Sequence, residues 1–139
     1  MRVVTTRFDA VEVDDDKIIT FPLGMAGFED LKRYFLLAHK DPIKWLQAVD
    51  DPDVAFIITE PFGLFPDYSF NVHTSVEEFL EVKSVDDILV FVILSVNEGK
   101  LTANLRAPIV INFKNMRAAQ VLLEDDRVPV RFYINIPAK

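Results

Sequence analysis

The run "ILVFVIL", Ile88 to Leu94, constrains this chain most. Seven apolar residues in succession are too few to cross a bilayer, which takes about 20 in a helix. They are also too uniformly apolar for a strand with one face in water. The run therefore reads as a strand at the centre of a sheet, and its neighbours must decide what kind of sheet.

The neighbours read as strands too. "AVEVD" (10–14) places Val11 and Val13 on one side and Glu12 on the other. The polar "DDDK" and the apolar "IITF" (18–21) that follow suggest a hairpin. In "FPLGMAGFED", Pro22 cannot donate to a ladder, and Gly24 and Gly27 permit positive φ, so a loop is expected. A short helical turn over 29–33 should precede the strand "YFLLAH". "LTANLR" alternates Leu101, Ala103 and Leu105 against Thr102, Asn104 and Arg106. Pro108 then forces a bend or bulge before "IVINF". "AQVLLE" and a weaker "RFYINI" end the chain.

One segment is helical. In "TSVEEFLEV", Ser75 and Glu78 have capping-box spacing, and Val76, Phe79 and Leu80 share a face. "SVDD" (84–87) can cap a second, one-turn helix. Many short strands with one or two short helices predict a mainly β fold, a small antiparallel barrel-like or sandwich domain. With no repeat or linker visible, residues 1–139 read as one domain.

Composition narrows the function. The chain has 139 residues, half of them hydrophobic with 12 Phe, so it can build a real core. It contains no Cys, which removes disulfides, thiolate metal sites and Cys nucleophiles. The start "MRVVTTRFDAVEVDDD" lacks the apolar stretch of a secretory signal, so a cytoplasmic protein free of the membrane is expected. Net charge is −7, a poor match for nucleic acid and a good one for a basic partner. Residues 1–99 carry 8 basic and 19 acidic side chains, whereas 100–139 carry 7 basic and 3 acidic.

The most tempting chemical motif is "DDPD" (50–53) in "WLQAVDDPDVAF". As an EF-hand loop begun at Asp50 it would put Ala55 where Gly belongs and Pro61 where Glu belongs. Asp51-Pro52 instead suits the first two positions of a type I turn between two strands. "GMAG" has the form of an RNA-clamping GXXG loop, but follows a strand and precedes Glu29 and Asp30, so a two-glycine turn is preferred. His39 and His73 stand alone, outside any zinc or nucleophile motif. No catalytic, cofactor or metal residue is assigned. The aromatic "FGLFPDYSF" (62–70) reads as an irregular segment across a barrel end, its rings mostly in the core. Asn104 and Asn112, in apolar strands, need partners, and backbone near the Pro108 bend could supply them.

Five stretches together resemble the FliW family of flagellar assembly factors. They are "IITFPLGMAGFED" (18–30), "WLQAVDDPDVAF" (45–56), "PFGLFPDY" (61–68), "LTANLRAPIVIN" (101–112) and "QVLLEDDR" (120–127). They run in the family's order across nearly the whole chain, and the likeness is weakest around 71–84 and after Arg127. The resemblance implies a small β-barrel-like regulator, not an enzyme. It implies two protein partners: flagellin, through its C-terminal helical region, and the translational repressor CsrA. Sequestering CsrA would relieve repression of flagellin mRNA without direct contact to nucleic acid. The free protein is expected to be a monomer.

Contact residues are then expected in three places. The first is Phe28 with Glu29, and the second is Phe65, Asp67 and Tyr68. The third is acidic, Glu77, Glu78 and Glu81, with Asp14 and Asp15 as further charges for a basic partner. The competing reading is a small-ligand-binding barrel or an unrecognised hydrolase, which would need a cavity with convergent polar groups.

Overall fold

The computed structural model describes residues 1–38 and 42–134. In chain order its elements are β1 (Arg2–Thr5), β2 (Asp9–Glu12), β3 (Ile19–Thr20), β4 (Arg33–Ala38), β5 (Ile43–Ala48), β6 (Ala55–Thr59), α1 (Thr74–Phe79), β7 (Ile88–Asn97), β8 (Lys100–Asn112), β9 (Arg117–Gln120) and β10 (Phe132–Ile134). Single 3-10 turns lie at Asp15–Lys17 and Val85–Asp87. Strands β8, β7, β6, β5, β4, β3 and β9 are bonded in that order, and β9 returns to β8. Among the described residues, seven strands thus close a barrel. Every pair in it is antiparallel except β3 with β9, which meet in parallel at Thr20 and Arg117.

The interior is packed with side chains. Ile19, Phe21, Tyr34, Leu46, Ile58, Phe91, Ile109 and Ile111 form one buried cluster. Phe21 and Tyr34 meet edge to face at 5.1 Å, an arrangement worth about 0.5–1.5 kcal/mol beyond the area it buries. The Tyr34 hydroxyl is buried without a hydrogen-bond partner among the described residues, and burial pushes its pKa up to about 12.

The uniform apolarity of β7 now has its reason. Leu89, Phe91 and Ile93 face the interior. Ile88 and Val90 face outward beneath α1, while Val92 and Leu94 face outward beneath the aromatic segment. A strand covered on both faces has no use for polar residues.

Pro108 sits in a bulge, as its chemistry requires. Phe91 pairs with Ile109 and Ile93 with Asn104, so residues 105–108 face only Val92. The bulge turns β8 toward the C-terminal segment. The carbonyls of Pro108 and Arg106 accept from Val121 and Leu123 N–H groups at 2.8 Å, and Leu105 donates to Pro129 at 3.1 Å. It also inverts the strand: Ala103 and Leu105 pack on the outer wall, whereas Ile109 and Ile111 point in.

Several local expectations need correction. β2 does not pair with β3. It pairs with β1 in a separate two-stranded sheet, and Val3 and Val11 from that sheet, with Val13 just beyond it, cover Phe35 on the outside of β4. The expected turn of helix over 29–33 is a hydrogen-bonded turn, and β4 has begun by Arg33. The last barrel strand starts earlier than "AQVLLE", at Arg117. The aromatic segment lies against the outer wall of β7 and β8, not across a barrel end.

Candidate functional site

Helix α1 is short and held chiefly by its contacts. Its N-cap is His73 rather than Ser75: the ring Nδ1 accepts from the Ser75 N–H at 3.2 Å and bonds the Ser75 hydroxyl at 2.9 Å. Leu80 is fully buried against Val110 and Ala119, with Val76 and Phe79 beside it. Burying one such Leu contributes about 1.5–3 kcal/mol.

The C-terminal end is clamped by the β8–β9 turn. Asn112 donates to the carbonyls of Leu80 at 2.9 Å and Glu81 at 3.2 Å, and Asn115 donates to Leu80 at 3.0 Å. Asn112 therefore serves the helix and not the Pro108 bend, whereas Asn104 does bond locally, accepting from Arg106 N–H at 3.1 Å. Arg117 lies over the Phe79 ring at 5.2 Å and reaches the Glu81 carboxylate at 3.6 Å. These contacts hold Glu81 at φ +57°, a left-handed conformation uncommon for Glu.

The opposite side of α1 faces solvent. Glu77, Glu78 and Glu81 are exposed there, and the next turn adds Asp86. Ser84 caps that turn, its hydroxyl accepting from Asp86 N–H at 3.2 Å. Three shallow depressions of about 390, 380 and 370 Å³ surround this face, and Lys83 lines each of them.

The other expected contact residues fall elsewhere. Phe28 is partly exposed and packs edge to face on Phe56 at 5.2 Å. Glu29 beside it accepts from the Gly27 N–H at 2.9 Å, and that bond lowers its pKa. Gly24 and Gly27 take φ of +68° and +85° to make this loop, so the two-glycine turn stands. Phe65 is half-buried against Phe132 at 5.0 Å. The Tyr68 hydroxyl donates to the Leu105 carbonyl at 2.6 Å, and burial pushes its pKa to about 12. Asp67 is exposed between them, as is Phe62. The structure thus unites Glu77, Glu78 and Glu81 on one surface and leaves the two aromatic neighbourhoods on others.

The acidic turn at 50–53 is occupied by its own chain. Asp50 forms a two-pronged pair with Arg33, at 2.6 and 3.1 Å. Asp51 accepts from Asp53 N–H at 3.0 Å. Asp53 accepts from the Thr6 hydroxyl, and its carbonyl accepts from Arg7 at 3.2 Å. Beneath them, buried Gln47 donates to the carbonyls of Ala48 and Val54, each at 3.1 Å. His39 lies outside the described residues. Asp14 and Asp15 are exposed by the first 3-10 turn, and Asp15 lines a depression shared with Lys114 and Asn115 of the β8–β9 turn.

A family model described as "FliW protein" matches residues 2–134. The chain belongs to the FliW family. It is 43% identical over 138 residues to the flagellar assembly factor FliW of Syntrophus aciditrophicus, covering 96% of this chain and 87% of that one. The flagellar assembly factor FliW of Alkaliphilus metalliredigens is 40% identical over 139 residues, covering 96% and 86%. A crystal structure of the flagellar assembly factor FliW superposes with a TM-score of 0.91 at 30% identity, over 99% of this chain and all of the other. Within this FliW-family fold, the stretches that carried the resemblance are largely fold determinants: the glycine loop, the acidic turn and the Pro108 bulge. The α1 surface lies where that resemblance was weakest. Among the described residues no helix is long and apolar enough to cross a membrane. No group of three or more metal-ligating side chains occurs among them.

Proposed function

We propose that this FliW-family chain is a cytoplasmic, non-enzymatic flagellar assembly factor that binds two proteins in turn. One is flagellin, through its C-terminal helical region, and the other is the translational repressor CsrA. Holding CsrA relieves its repression of flagellin mRNA, with no direct contact between this chain and RNA. The observation that carries the reading is family membership across residues 2–134, with relatives named flagellar assembly factors. The exposed carboxylates around α1 support it, because an acidic surface attracts a basic protein and repels RNA. With CsrA held away from its RNA-binding surface, repression would be relieved by coupling and not by blocking.

Two partners that exclude each other need only negative coupling between their sites. The test is a competition in which the chain is loaded with flagellin, CsrA is added, and flagellin release is measured. Displacement is expected. Binding of neither cognate partner to the folded chain would sink the reading, and a shift of flagellin leader RNA by this chain alone would contradict its RNA-free part.

A further inference from the structure

We propose that the slot between the segment preceding α1 and the Val85–Asp87 turn docks a basic protein segment carrying one apolar side chain between cationic ones. The proposal rests on the reading above that a basic repressor is a partner, and it says where that partner sits and what it must present.

Val85 is 80% exposed, the most exposed of the large hydrophobic side chains among the described residues. A single exposed Val is ordinary on a protein surface. Its setting is what matters. It stands on an ordered turn, fixed by the Ser84 cap and by the Phe113 N–H donating to the Asp87 carbonyl at 3.1 Å. Beside it opens the slot of about 390 Å³, walled by Phe70, Val72, Val82 and Ile88. Phe70, Val82 and Ile88 are backed by the buried Leu80, Val110 and Ala119. The apolar floor is therefore preformed, and an incoming side chain would not have to order it.

The charge around the slot selects the occupant. Glu77 lines it, Glu78 follows on α1, Glu81 lies just past the end of that helix, and Asp86 and Asp87 follow Val85. Of these five, only Glu81 has a basic partner within ion-pair distance among the described residues. An acidic peptide or a nucleic acid would be repelled. A second copy of this chain, itself at −7, is also disfavoured. A segment with Lys or Arg on both sides of one apolar residue satisfies both the floor and the rim. Lys83, which lines the slot and both neighbouring depressions, forms no ion pair there among the described residues, and its charge opposes a cationic occupant.

The assignment is tested by calorimetry of the full chain with purified CsrA at low and physiological salt, with flagellin as a parallel probe. Val85→Ser should weaken CsrA binding about three- to tenfold at either salt, since it removes an apolar contact. Asp86→Asn with Asp87→Asn should weaken it at low salt and much less at high salt, because screening removes that attraction. Lys83→Gln should strengthen it at low salt, and a gain of affinity cannot come from a misfolded chain. If wild type binds CsrA and all three variants match it, the slot assignment is overturned and the functional reading stands. If wild type binds neither CsrA nor flagellin, the functional reading itself fails, and the assignment with it.

Discussion

The side-chain amide of Asn112 donates to the carbonyl of Leu80 at 2.9 Å, across 32 residues of sequence. A helix end leaves its last carbonyls without partners, and this one is buried. Asn112 and Asn115 share the task of satisfying it, both donating to the same oxygen. The surface that carries Glu77, Glu78 and Glu81 is held at its C-terminal end by strand side chains more than by the helix itself.

Replacing Asn112 with Ala should cost about 1–3 kcal/mol, read as a lower urea midpoint at unchanged slope. Asn115→Ala should cost less, about 0.5–1.5 kcal/mol, because Asn112 still reaches the Leu80 carbonyl. The double variant should lose more than the two singles together, since only then is that carbonyl orphaned. Strict additivity would show that the shared oxygen does not matter.

The two buried tyrosines set an alkaline limit. Burial raises Tyr34 and Tyr68 from about 10 to about 12. Folding thus favours the neutral phenol. Its contribution is complete below the unfolded value near 10 and is lost as pH rises through about 12. Phe replacement at both positions should remove that decline and shift alkaline unfolding to higher pH. At neutral pH Tyr68→Phe should cost about 1 kcal/mol, because the Leu105 carbonyl loses its donor. An unchanged alkaline midpoint in the double variant would contradict the assignment.

What sequence reading can and cannot reach shows in particular residues. The β7 run was legible because apolarity on both faces leaves few alternatives. The turn at 50–53 and the Ser84 cap were legible because Asp-Pro and Ser-x-Asp act on backbone only a few residues away. The partner of β2 was not legible: alternation tells which face is buried and says nothing about which strand lies alongside. β3 is two residues long, too short to carry a pattern of its own. Glu77 and Glu78 could be placed on the helix from the sequence, whereas Glu81 lies past its end in a left-handed turn. The slot beside Val85 could not be placed so, because its walls come from positions 70 to 88 and meet only after Leu80 is buried. The Asn112 clamp escaped for the same reason.

Gly24 and Gly27 both have positive φ, yet their replacements should behave differently. A Cβ at Gly24 would lie 2.6 Å from the Glu29 Cα and 2.7 Å from its carbonyl oxygen, so the loop must move. At Gly27 nothing among the described residues lies within 4 Å of an added Cβ, and only the left-handed backbone cost of about 1–2 kcal/mol applies. Gly24→Ala should therefore lower the melting temperature more, and should also disturb the Phe28 ring on Phe56, visible in aromatic NMR shifts. Equal losses at the two sites would mean that the close approach to Glu29 relaxes freely.

The Arg33–Asp50 pair should make a small contribution with a definite pH signature. Its hydrogen bonds to Arg33 hold the Asp50 carboxyl below the usual carboxylate range. A lowered folded value means the stabilisation is present above the unfolded value of about 3.8 and is lost as pH falls through the lower folded one. Both side chains are more than 40% exposed, so water and salt screen the pair. Asp50→Asn should cost about 0.2–1 kcal/mol at neutral pH and low salt, less at high salt. The difference from wild type should shrink once pH drops below the folded value, where Asp50 is protonated in both states. Denaturant midpoints taken across the acid range decide it. A constant gap down to the lowest pH would show that the turn depends on the shape of Asp50 and not on its charge.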